Sequence, residues 1–263
     1  MGAVQCPCGD EGTAGSGGPR APPSPHVEAG WRAEQQRLKR AHVSSDAHPE
    51  WELKTKATGA TEAVGLRLIG GCDISFIKGN EVDALAMVVV LSFPELEVVH
   101  EVSAMVKLTA PYIPGFLAFR EAPHLVALLE RIKAEKPELF PQVLFVDGNG
   151  MLHPKGFGLA CHLGVLADLP TVGVGKTMMA VDGLYEVWKK KRIAAGSHER
   201  LVGTSGRVWG AAVAATSSSN PTFISVGHRV SLDSAVRLTQ LVTRTRIPEP
   251  VRAADLRSRD LLR

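Results

Sequence analysis

The sequence predicts an α/β fold in which helices flank one mixed β-sheet. Between residues 66 and 106, apolar strand-like runs follow one another with connections of only a few residues, which predicts antiparallel neighbours. Between residues 142 and 174 the pattern changes to strand, helix and strand with short loops, which is typical of a right-handed parallel crossover. Antiparallel strands followed by parallel strands make the sheet mixed.

The first strands and the first core helix follow from local patterns. The antiparallel strands are predicted at residues 66–76, 82–93 and 96–106, with turns at 78–80 and 92–95. Helical spacing is seen in Leu125, Leu128, Leu129 and Ile132. This helix should begin near residues 121–123 and end before Pro137, because proline lacks the amide hydrogen that a helix interior needs.

The crossover and the elements after it complete the prediction. A strand at 142–146, a helix at 159–167 and a strand at 171–174 form the crossover. Strands at 208–215 and 223–226 follow, and Ser231 has the position of the N-cap of a helix. By analogy of fold alone, this order of elements is characteristic of the ribonuclease H-like architecture.

Length and composition indicate one domain with a tail. The chain has 263 residues, of which 44% are hydrophobic and 22% charged, enough for a sizeable core. We predict a single domain over residues 31–263. Residues 1–30 are rich in glycine and proline and have almost nothing to bury, so we predict that they are disordered.

The chain carries no pattern that predicts export or membrane insertion. No run of about 18 apolar residues occurs. The first residues lack the apolar core of a secretory signal, and Asp10 and Glu11 disfavour a mitochondrial targeting helix. The cysteines at 6, 8, 72 and 161 form no Cys-x-x-Cys pair, so neither a zinc site nor a disulfide framework is indicated. We expect a soluble, intracellular protein that is not secreted.

The charge distribution permits a nucleic-acid partner without requiring one. The net charge is only +3. Residues 189–192 are four consecutive cations, and an early cluster contains Arg32, Arg37, Lys39 and Arg40. Either group could neutralise phosphates. The alternative is a solvated charged face, which is the commoner origin of such runs.

The segment at residues 143–158 is the most informative part of the chain. An apolar strand runs into Asp147, and glycines follow at 148, 150, 156 and 158. Because glycine has no Cβ, Gly148 and Gly150 would let a polymer backbone approach the carboxylate. In open α/β sheets, ligands bind outside the carboxyl ends of the strands, which is where Asp147 is expected. The alternative is an ordinary Asp-Gly turn.

Two more acids take comparable positions in the predicted layout. Asp73 lies inside the first strand and Glu121 at the start of the first core helix. Together with Asp147 they would form a site of hard oxygen ligands, which magnesium prefers and which suits phosphodiester hydrolysis. An unpaired Asp73 in an apolar strand would otherwise be costly. Glu121 has an alternative explanation, because acids stabilise helix N-termini.

Basic side chains could complete this site. His153 lies in the loop after Asp147 and could act on the leaving group or on a water, and His228 precedes a helix. Each could equally be a surface or capping residue. Lys176 lies in a Gly-Lys-Thr sequence, but a nucleotide-binding loop needs a glycine where Pro170 stands. Lys176 is better explained as a cation that neutralises a substrate phosphate.

Residues 111–115, Pro-Tyr-Ile-Pro-Gly, form the last unusual segment. Two prolines and a glycine stiffen this loop, so Pro111, Tyr112 and Ile113 could form a wedge that enters between stacked bases. A buried loop anchor is the alternative.

Five segments together resemble the endonuclease V family: residues 71–76, 111–121, 146–154, 173–176 and 227–229. Several motifs in the family's order are more specific than any one of them. The resemblance covers roughly residue 31 to the C-terminus. It implies a ribonuclease H-like fold and cleavage at the second phosphodiester bond 3′ to inosine, with magnesium as the cofactor and manganese as a substitute.

The same resemblance implies roles for individual residues. Asp73, Glu121 and Asp147 would bind the metal, and His153, Lys176 and His228 would be further catalytic residues. Tyr112 would be the wedge, with Pro111, Ile113, Gly148 and Gly150 also contacting nucleic acid. The family more usually has alanine before this lysine and serine after it, where this chain has Gly175 and Thr177.

Residues 91–97 and 246–252 resemble the animal branch of the family, whose members prefer inosine in RNA. This implies single-stranded or inosine-containing RNA as the partner, deaminated DNA as a further substrate, and no membrane partner. It also implies a monomer located in the cytoplasm or the nucleus, including the nucleolus. Nothing in the sequence displays the 2′-hydroxyl contact that a preference for RNA demands.

Two other functions stay open on the residues alone. A nucleic-acid-binding protein of this fold that does not cleave would be expected to lack one of the acids, and all three are present. A nucleotide hydrolase built on residues 173–177 has Pro170 against it.

Overall fold

The computed structural model describes residues 25–48, 50–80 and 82–263. The strands are β1 (Glu52–Thr55), β2 (Thr61–Val64), β3 (Leu68–Phe76), β4 (Asp83–Ser92), β5 (Val98–Lys107), β6 (Val143–Asp147), β7 (Thr171–Gly175), β8 (His198–Val202), β9 (Val208–Val213) and β10 (Thr222–His228). The helices are α1 (Pro25–Ala41), α2 (Ala118–Glu135), α3 (Leu159–Ala167), α4 (Leu184–Trp188), α5 (Leu232–Val242) and α6 (Glu249–Leu261), with a short 3₁₀ helix at Pro137–Leu139.

Eight strands form one mixed sheet in the order β5-β4-β3-β6-β7-β10-β9-β8, and β1 and β2 form a separate hairpin. β3, β4 and β5 are antiparallel neighbours, whereas β6 runs parallel to both β3 and β7. The predicted fold class is confirmed: three antiparallel strands precede the parallel ones, and helices cover the sheet.

Most of the predicted elements lie close to where the local sequence patterns placed them, and the start of α2 differs for a physical reason. α3 has the predicted bounds, and Ser231 caps α5 by accepting a hydrogen bond of 3.1 Å from the Ser234 amide. The predicted start of α2 is wrong. Hydrogen bonds from Phe119 and Arg120 to residues three positions earlier close its first turn, so the helix begins before Pro123 and passes through it.

Several elements were not predicted: α1, the hairpin of β1 and β2, α4, β8 and α6. α1 begins at Pro25, so the last six residues of the predicted disordered tail are helical. The rest of that tail, with Cys6 and Cys8, lies outside the described residues. Cys72 and Cys161 are buried free thiols. Among the described helices, none is long and apolar enough to cross a membrane.

Helices cover both faces of the sheet. Along β6, Val143 and Phe145 pack in the layer that contains α5 and α6, while Leu144 and Val146 pack in the layer that contains α2 and α3. Burial on both faces explains why this strand is apolar at every position before Asp147. Burying each of these side chains stabilises the fold by roughly 1.5–3 kcal/mol.

Adjacent glycines in β3 let both layers approach the strand closely. A Cβ on Gly71 would lie 2.0 Å from the carbonyl oxygen of Pro250, at the start of α6. A Cβ on Gly70 would lie 2.7 Å from Leu144 Cδ1, a side-chain atom in the other layer. Gly71 therefore lets the first turn of α6 rest directly on β3, which places the rest of that helix over Asp73.

Candidate active site

Three aspartates, termed here the aspartate cluster, come together from separate elements. Asp73, Asp147 and Asp255 each offer a carboxylate oxygen, and these oxygens all lie within 4.8 Å of one another. Asp73 lies beside Asp147 because β3 and β6 are parallel, with Cys72 opposite Val146. Asp255 approaches from α6. Carboxylates this close repel each other unless a cation neutralises them.

Hydroxyl groups hold Asp73 in one orientation. The side chain is buried, and Ser75 Oγ and Ser258 Oγ donate hydrogen bonds of 2.8 and 3.1 Å to its Oδ2. The two hydroxyl oxygens are 2.7 Å apart. Such outer contacts orient a ligand side chain before any metal arrives.

Lys176 supplies a positive charge to the cluster. Its Nζ lies 2.6 Å from Asp147 Oδ2 and 3.4 Å from Asp255 Oδ1. The lysine follows β7, whose parallel register places Val174 beside Asp147. Burial lowers the pKa of Lys176, but the hydrogen bond to Asp147 and the nearby carboxylate charges outweigh burial and raise the pKa above its usual value. The side chain is therefore cationic.

Glu121 lies near the cluster but is not part of it. It is in the first turn of α2, and its oxygens are not among those within 4.8 Å of one another. Burial and the charge of Asp73 raise the pKa of Glu121 to about 7, although Arg120 opposes the shift. The structure thus brings the three predicted acids into one neighbourhood, with Asp255 in the inner group and Glu121 beside it.

The charge balance fits a divalent cation. Burial and the proximity of Asp73 raise the pKa of Asp147 to about 7, even though the hydrogen bond from Lys176 acts in the opposite direction. One lysine also faces three carboxylates, so Lys176 alone does not neutralise the cluster. Closely spaced carboxylate oxygens with unbalanced negative charge are the donor set that magnesium or manganese takes.

A cavity of about 160 Å³ opens beside Asp147. Its lining includes Tyr112, Glu121, Gly148, His153 and Leu159. For the Pro-Tyr-Ile-Pro-Gly loop, the two explanations were a wedge and a buried anchor, and each applies to a different residue. Tyr112 is 63% exposed at the rim of the cavity, while Ile113 is only 8% exposed. The exposed ring of Tyr112 could contact a bound substrate. Ile113 is buried and anchors the loop, contrary to its predicted contact with nucleic acid.

Gln35 of α1 joins two walls of this cavity. Its buried Nε2 donates to Gly115 O at 3.1 Å and to Phe157 O at 3.3 Å. Gly115 and Phe157 both line the cavity. Sequence reasoning missed this residue, since an amide on a helix carries no signal of what it contacts.

His153 lines the cavity as a neutral side chain. Burial, together with the charges of Lys155 and Lys39, lowers its pKa to about 4. Its Nδ1 accepts a hydrogen bond of 3.2 Å from the Lys155 amide, so the neutral ring carries its hydrogen on Nε2. His153 can therefore donate a hydrogen bond near neutral pH.

The structure places His228 outside the site, contrary to the prediction. β10 runs antiparallel to β7 with His228 opposite Thr171, at the start of β7, whereas Lys176 follows its end. His228 is buried, and its Nδ1 accepts a hydrogen bond of 3.2 Å from the Val43 amide. The reversal of direction in β10, which the sequence did not show, explains the error.

Gly150 also has a different role from the predicted one. A Cβ there would lie 2.0 Å from Val226 O, so the chain itself fills the space that was expected to admit a polymer. Gly148 keeps the expected place beside the cavity. Pro111 is partly buried next to Tyr112.

Asp255 is the main site residue that sequence reasoning missed. It lies in a helix that was not predicted, and it also pairs with Arg259 at 2.7 Å, as a surface acid would. The available signal was Ser258, three residues later on the same helix face, whose hydroxyl reaches Asp73. Only the packing of α6 on Gly71 shows that both side chains face the cluster.

Comparisons with known proteins point to one family. A family model described as Endonuclease V matches residues 50–256. Endonuclease V of Homo sapiens is 52% identical over 239 residues, which cover 89% of this chain and 82% of that protein. Endonuclease V of Mus musculus is 50% identical over 239 residues, which cover 89% of this chain and 69% of that protein.

Solved structures give the same result. The catalytic domain of human Endonuclease V has a TM-score of 0.83 at 48% identity, covering 92% of this chain and 98% of that chain. Endonuclease V of Ciona intestinalis, in complex with a 23mer DNA containing an inosine followed by a ribo-adenosine, has a TM-score of 0.77 at 32% identity. That match covers 91% of this chain and 98% of the Ciona chain.

Proposed function

Because the chain belongs to the endonuclease V family, whose members are metal-dependent nucleases that act on deaminated nucleic acid, we propose that it cleaves inosine-containing RNA. The cut lies at the second phosphodiester bond 3′ to the inosine, and the cofactor is magnesium, for which manganese can substitute. The observation that carries the proposal is the aspartate cluster beside a base-sized cavity with an exposed tyrosine at its rim.

The carboxylates of Asp73, Asp147 and Asp255 would hold the metal. When bound, it would lower the pKa of a water and offset negative charge on the phosphate. Ser75 and Ser258 keep Asp73 oriented for this purpose. Nearly all of the donor set is therefore in place before substrate binds.

Lys176 and Glu121 would supply the remaining charge and proton chemistry. Lys176 can exchange its contact with Asp147 for one with the phosphate that is cut, where a fixed cation stabilises developing negative charge. Glu121 lines the same cavity as Asp147, so its carboxylate would accept the proton of the attacking water.

The cavity would receive the inosine base. At about 160 Å³ it is smaller than the roughly 300–1,000 Å³ of sites for drug-sized ligands, and it suits one flat base. Tyr112 would take the place that the base leaves in the stack. His153 Nε2 would donate a hydrogen bond, and a close-fitting wall that includes Gly148 would exclude the exocyclic amine of guanine.

Two observations support RNA over DNA. The chain carries the two segments that resemble the animal branch, and over 239 residues it is 52% identical to the human protein. The Ciona relative is bound to DNA in which a ribo-adenosine follows the inosine, which supports recognition of a ribose at that position by this chain as well. Deaminated DNA would be a weaker substrate.

A matched set of single-stranded oligonucleotides tests this proposal. Each contains inosine, guanosine or adenosine at one position, followed by a ribose or deoxyribose nucleotide, and is incubated with magnesium or with chelator. We expect cleavage only with inosine and metal, and faster cleavage next to ribose. Equal rates with guanosine, or cutting that resists the chelator, would contradict it.

The alternative of binding without cleavage is tested by Asp147→Ala. The variant should lose cleavage and still bind the inosine oligonucleotide in a fluorescence anisotropy titration. If wild-type protein binds but no product forms with magnesium or manganese, the protein is a binding module instead.

We also propose that the protein acts as a monomer in the cytoplasm or the nucleus, including the nucleolus, where RNA is available. Light scattering on the purified protein and imaging of a tagged copy would check these two points.

A further inference from the structure

We propose that a groove formed by α4 and the four cations after it binds the single-stranded arm of the substrate on the 3′ side of the cut. It is termed here the basic groove and contains Lys176, Tyr185, Lys189, Lys190, Lys191 and Arg192. The inference rests on the proposed function for the identity of the substrate and for the side on which this arm lies.

The basic groove is large and is connected to the aspartate cluster. Its volume is about 630 Å³, several times that of the base cavity. Lys176 lines the groove and at the same time lies 2.6 Å from Asp147. Met178 lines the groove, while Met179 lines the base cavity. A strand that has one base in the cavity and a phosphate at the cluster can therefore continue into the groove.

The charge of the groove fits a polyanion. No acidic residue is among the described residues that line it, while Lys190 and Arg192 are exposed. Lys189 and Lys191 pair with Glu186 at 2.6 Å and with Glu199 at 2.5 Å, two acids outside the lining. Exposed ion pairs contribute only about 0–1 kcal/mol, so phosphates can replace these glutamates.

The side chains of the groove fit single-stranded rather than paired nucleic acid. Tyr185 is 42% exposed, and Lys189 Nζ lies 5.5 Å from the centre of its ring. Trp188 and Phe223 also line the groove. Trp188 is buried and packs edge-on against Phe223, which holds this part of the groove in place. An exposed aromatic ring among cations is the arrangement that stacks unpaired bases while holding their phosphates.

The polarity follows from the order of the sites along the sheet. The cavity and the cluster lie around the end of β6, Lys176 follows the neighbouring β7, and Phe223 of the groove lies on β10 beyond it. Arg246 donates to Lys176 O at 2.6 Å, which holds the connecting segment. Because the proposed cut lies 3′ to the inosine, the arm beyond the cut is the one that enters the groove.

The experiment compares inosine oligonucleotides whose 3′ arm is either about twelve or about two nucleotides long, with the 5′ arm constant. Anisotropy gives the affinity, measured with calcium in place of magnesium to prevent turnover, and single-turnover cleavage gives the rate. With wild-type protein, we expect the short arm to bind about tenfold more weakly and to be cut at a similar rate once bound.

Two double variants form a matched pair. Lys189→Ser with Lys191→Ser removes two exposed lysines that pair with glutamates, and Lys54→Ser with Lys56→Ser does the same in the β1–β2 hairpin. The groove variant should bind the long arm about as weakly as the short one. Its slope of log affinity against log salt should fall by about 1.4, since each phosphate contact on a single strand accounts for about 0.7.

Lys190→Glu is a second variant in case the loss of Lys191, which also lies over Trp188, impairs folding. Cleavage of the short-arm substrate checks that each variant is folded. Equal affinity for both arms in wild type, or equal losses in the groove and hairpin variants, would overturn the inference. If the long arm binds preferentially but no inosine substrate is cut, the proposed function fails and the groove assignment stands.

Discussion

The two ends of the central sheet both carry buried ionisable side chains, but their interactions differ. At the carboxyl end of β6 and β7, burial together with the charge of Asp73 raises the pKa values of Asp147 and Glu121 to about 7. At the opposite end, His228 accepts a hydrogen bond from Val43 N, and Arg229 pairs with Asp168 at 2.7 Å. The carboxyl end of β6 and β7 therefore needs a bound cation, whereas at the opposite end the protein itself supplies the partners of His228 and Arg229.

This difference shows why a motif is not sufficient to identify a site. His153 lies in the loop after β6 and His228 is the last residue of β10, and burial lowers the pKa of both to about 4. Of the two, only His153 lines the cavity that Glu121 and Asp147 also line. Position relative to unbalanced charge, and not the type of residue, separates the two histidines.

The largest effect should come from removing a charge at the carboxyl end. Asp255→Asn should slow cleavage by more than the roughly 10- to 100-fold that is typical of changes outside the metal ligands, because it removes a proposed ligand. Single-turnover cleavage and a calorimetric titration with manganese measure this. Asp260→Asn, an exposed acid on the same helix that pairs with Arg263, is the control and should behave as wild type.

A smaller effect should follow from moving the helix that carries Asp255. Gly71→Ala places a Cβ 2.0 Å from Pro250 O, a backbone atom, so α6 must shift. We expect the free energy of unfolding to fall by about 1–3 kcal/mol and the metal affinity to fall by about tenfold. Urea unfolding and metal titration check both values.

Gly70→Ala is the matched control for that substitution. Its Cβ would meet the flexible end of Leu144 on the other face of the strand. It should destabilise the protein and leave metal affinity unchanged. If both variants lose metal affinity equally, the seating of α6 on Gly71 does not determine the site.

Exchanging the two histidines for glutamine should sharpen the comparison further. His153→Gln should weaken recognition of inosine by about fivefold in kcat/KM, the value of one hydrogen bond. His228→Gln should leave kcat/KM within about twofold and lower stability by about 1 kcal/mol, since the Val43 amide loses its partner. If His228→Gln impairs cleavage without lowering stability, His228 has a role in the reaction and its exclusion from the site is wrong.

The smallest effect per residue is a pH dependence of stability that both ends share. Burial lowers the pKa values of His153, His162 and His228 to about 4, below the usual value of 6.5. Above pH 6.5 both the folded and the unfolded chain are neutral at these groups. As the pH falls from 6.5 towards 4, the unfolded chain binds protons first, so stability is lost.

Between pH 7 and pH 6, each such histidine should cost about 0.7 kcal/mol of unfolding free energy. Urea unfolding at the two pH values measures the total, and His228→Gln should reduce it by one histidine's share. An unchanged difference in that variant would show that His228 is not held neutral in the folded state.

Local patterns in the chain were sufficient for the centre of the fold and for two of the carboxylates. The apolar run before Asp147 and the short connections around α3 specify a parallel crossover. Once β3 and β6 are parallel neighbours, Asp73 has to lie beside Asp147. These features depend on residues close together in sequence or on one pairing rule, so they could be predicted.

The remaining features depend on contacts between distant segments. Asp255 reaches the cluster because Gly71, 184 positions earlier, gives α6 a place on β3. His228 is kept away because β10 runs against β7, and Gly150 is filled by Val226 from that same strand.

The sequence by itself therefore determined which side chains were available and which strands carry them. Only the tertiary structure decided which acidic side chains lie close together without enough positive charge to balance them. The reason is physical: the charge that makes a site reactive is a balance over all neighbours, and most of those neighbours are remote along the chain.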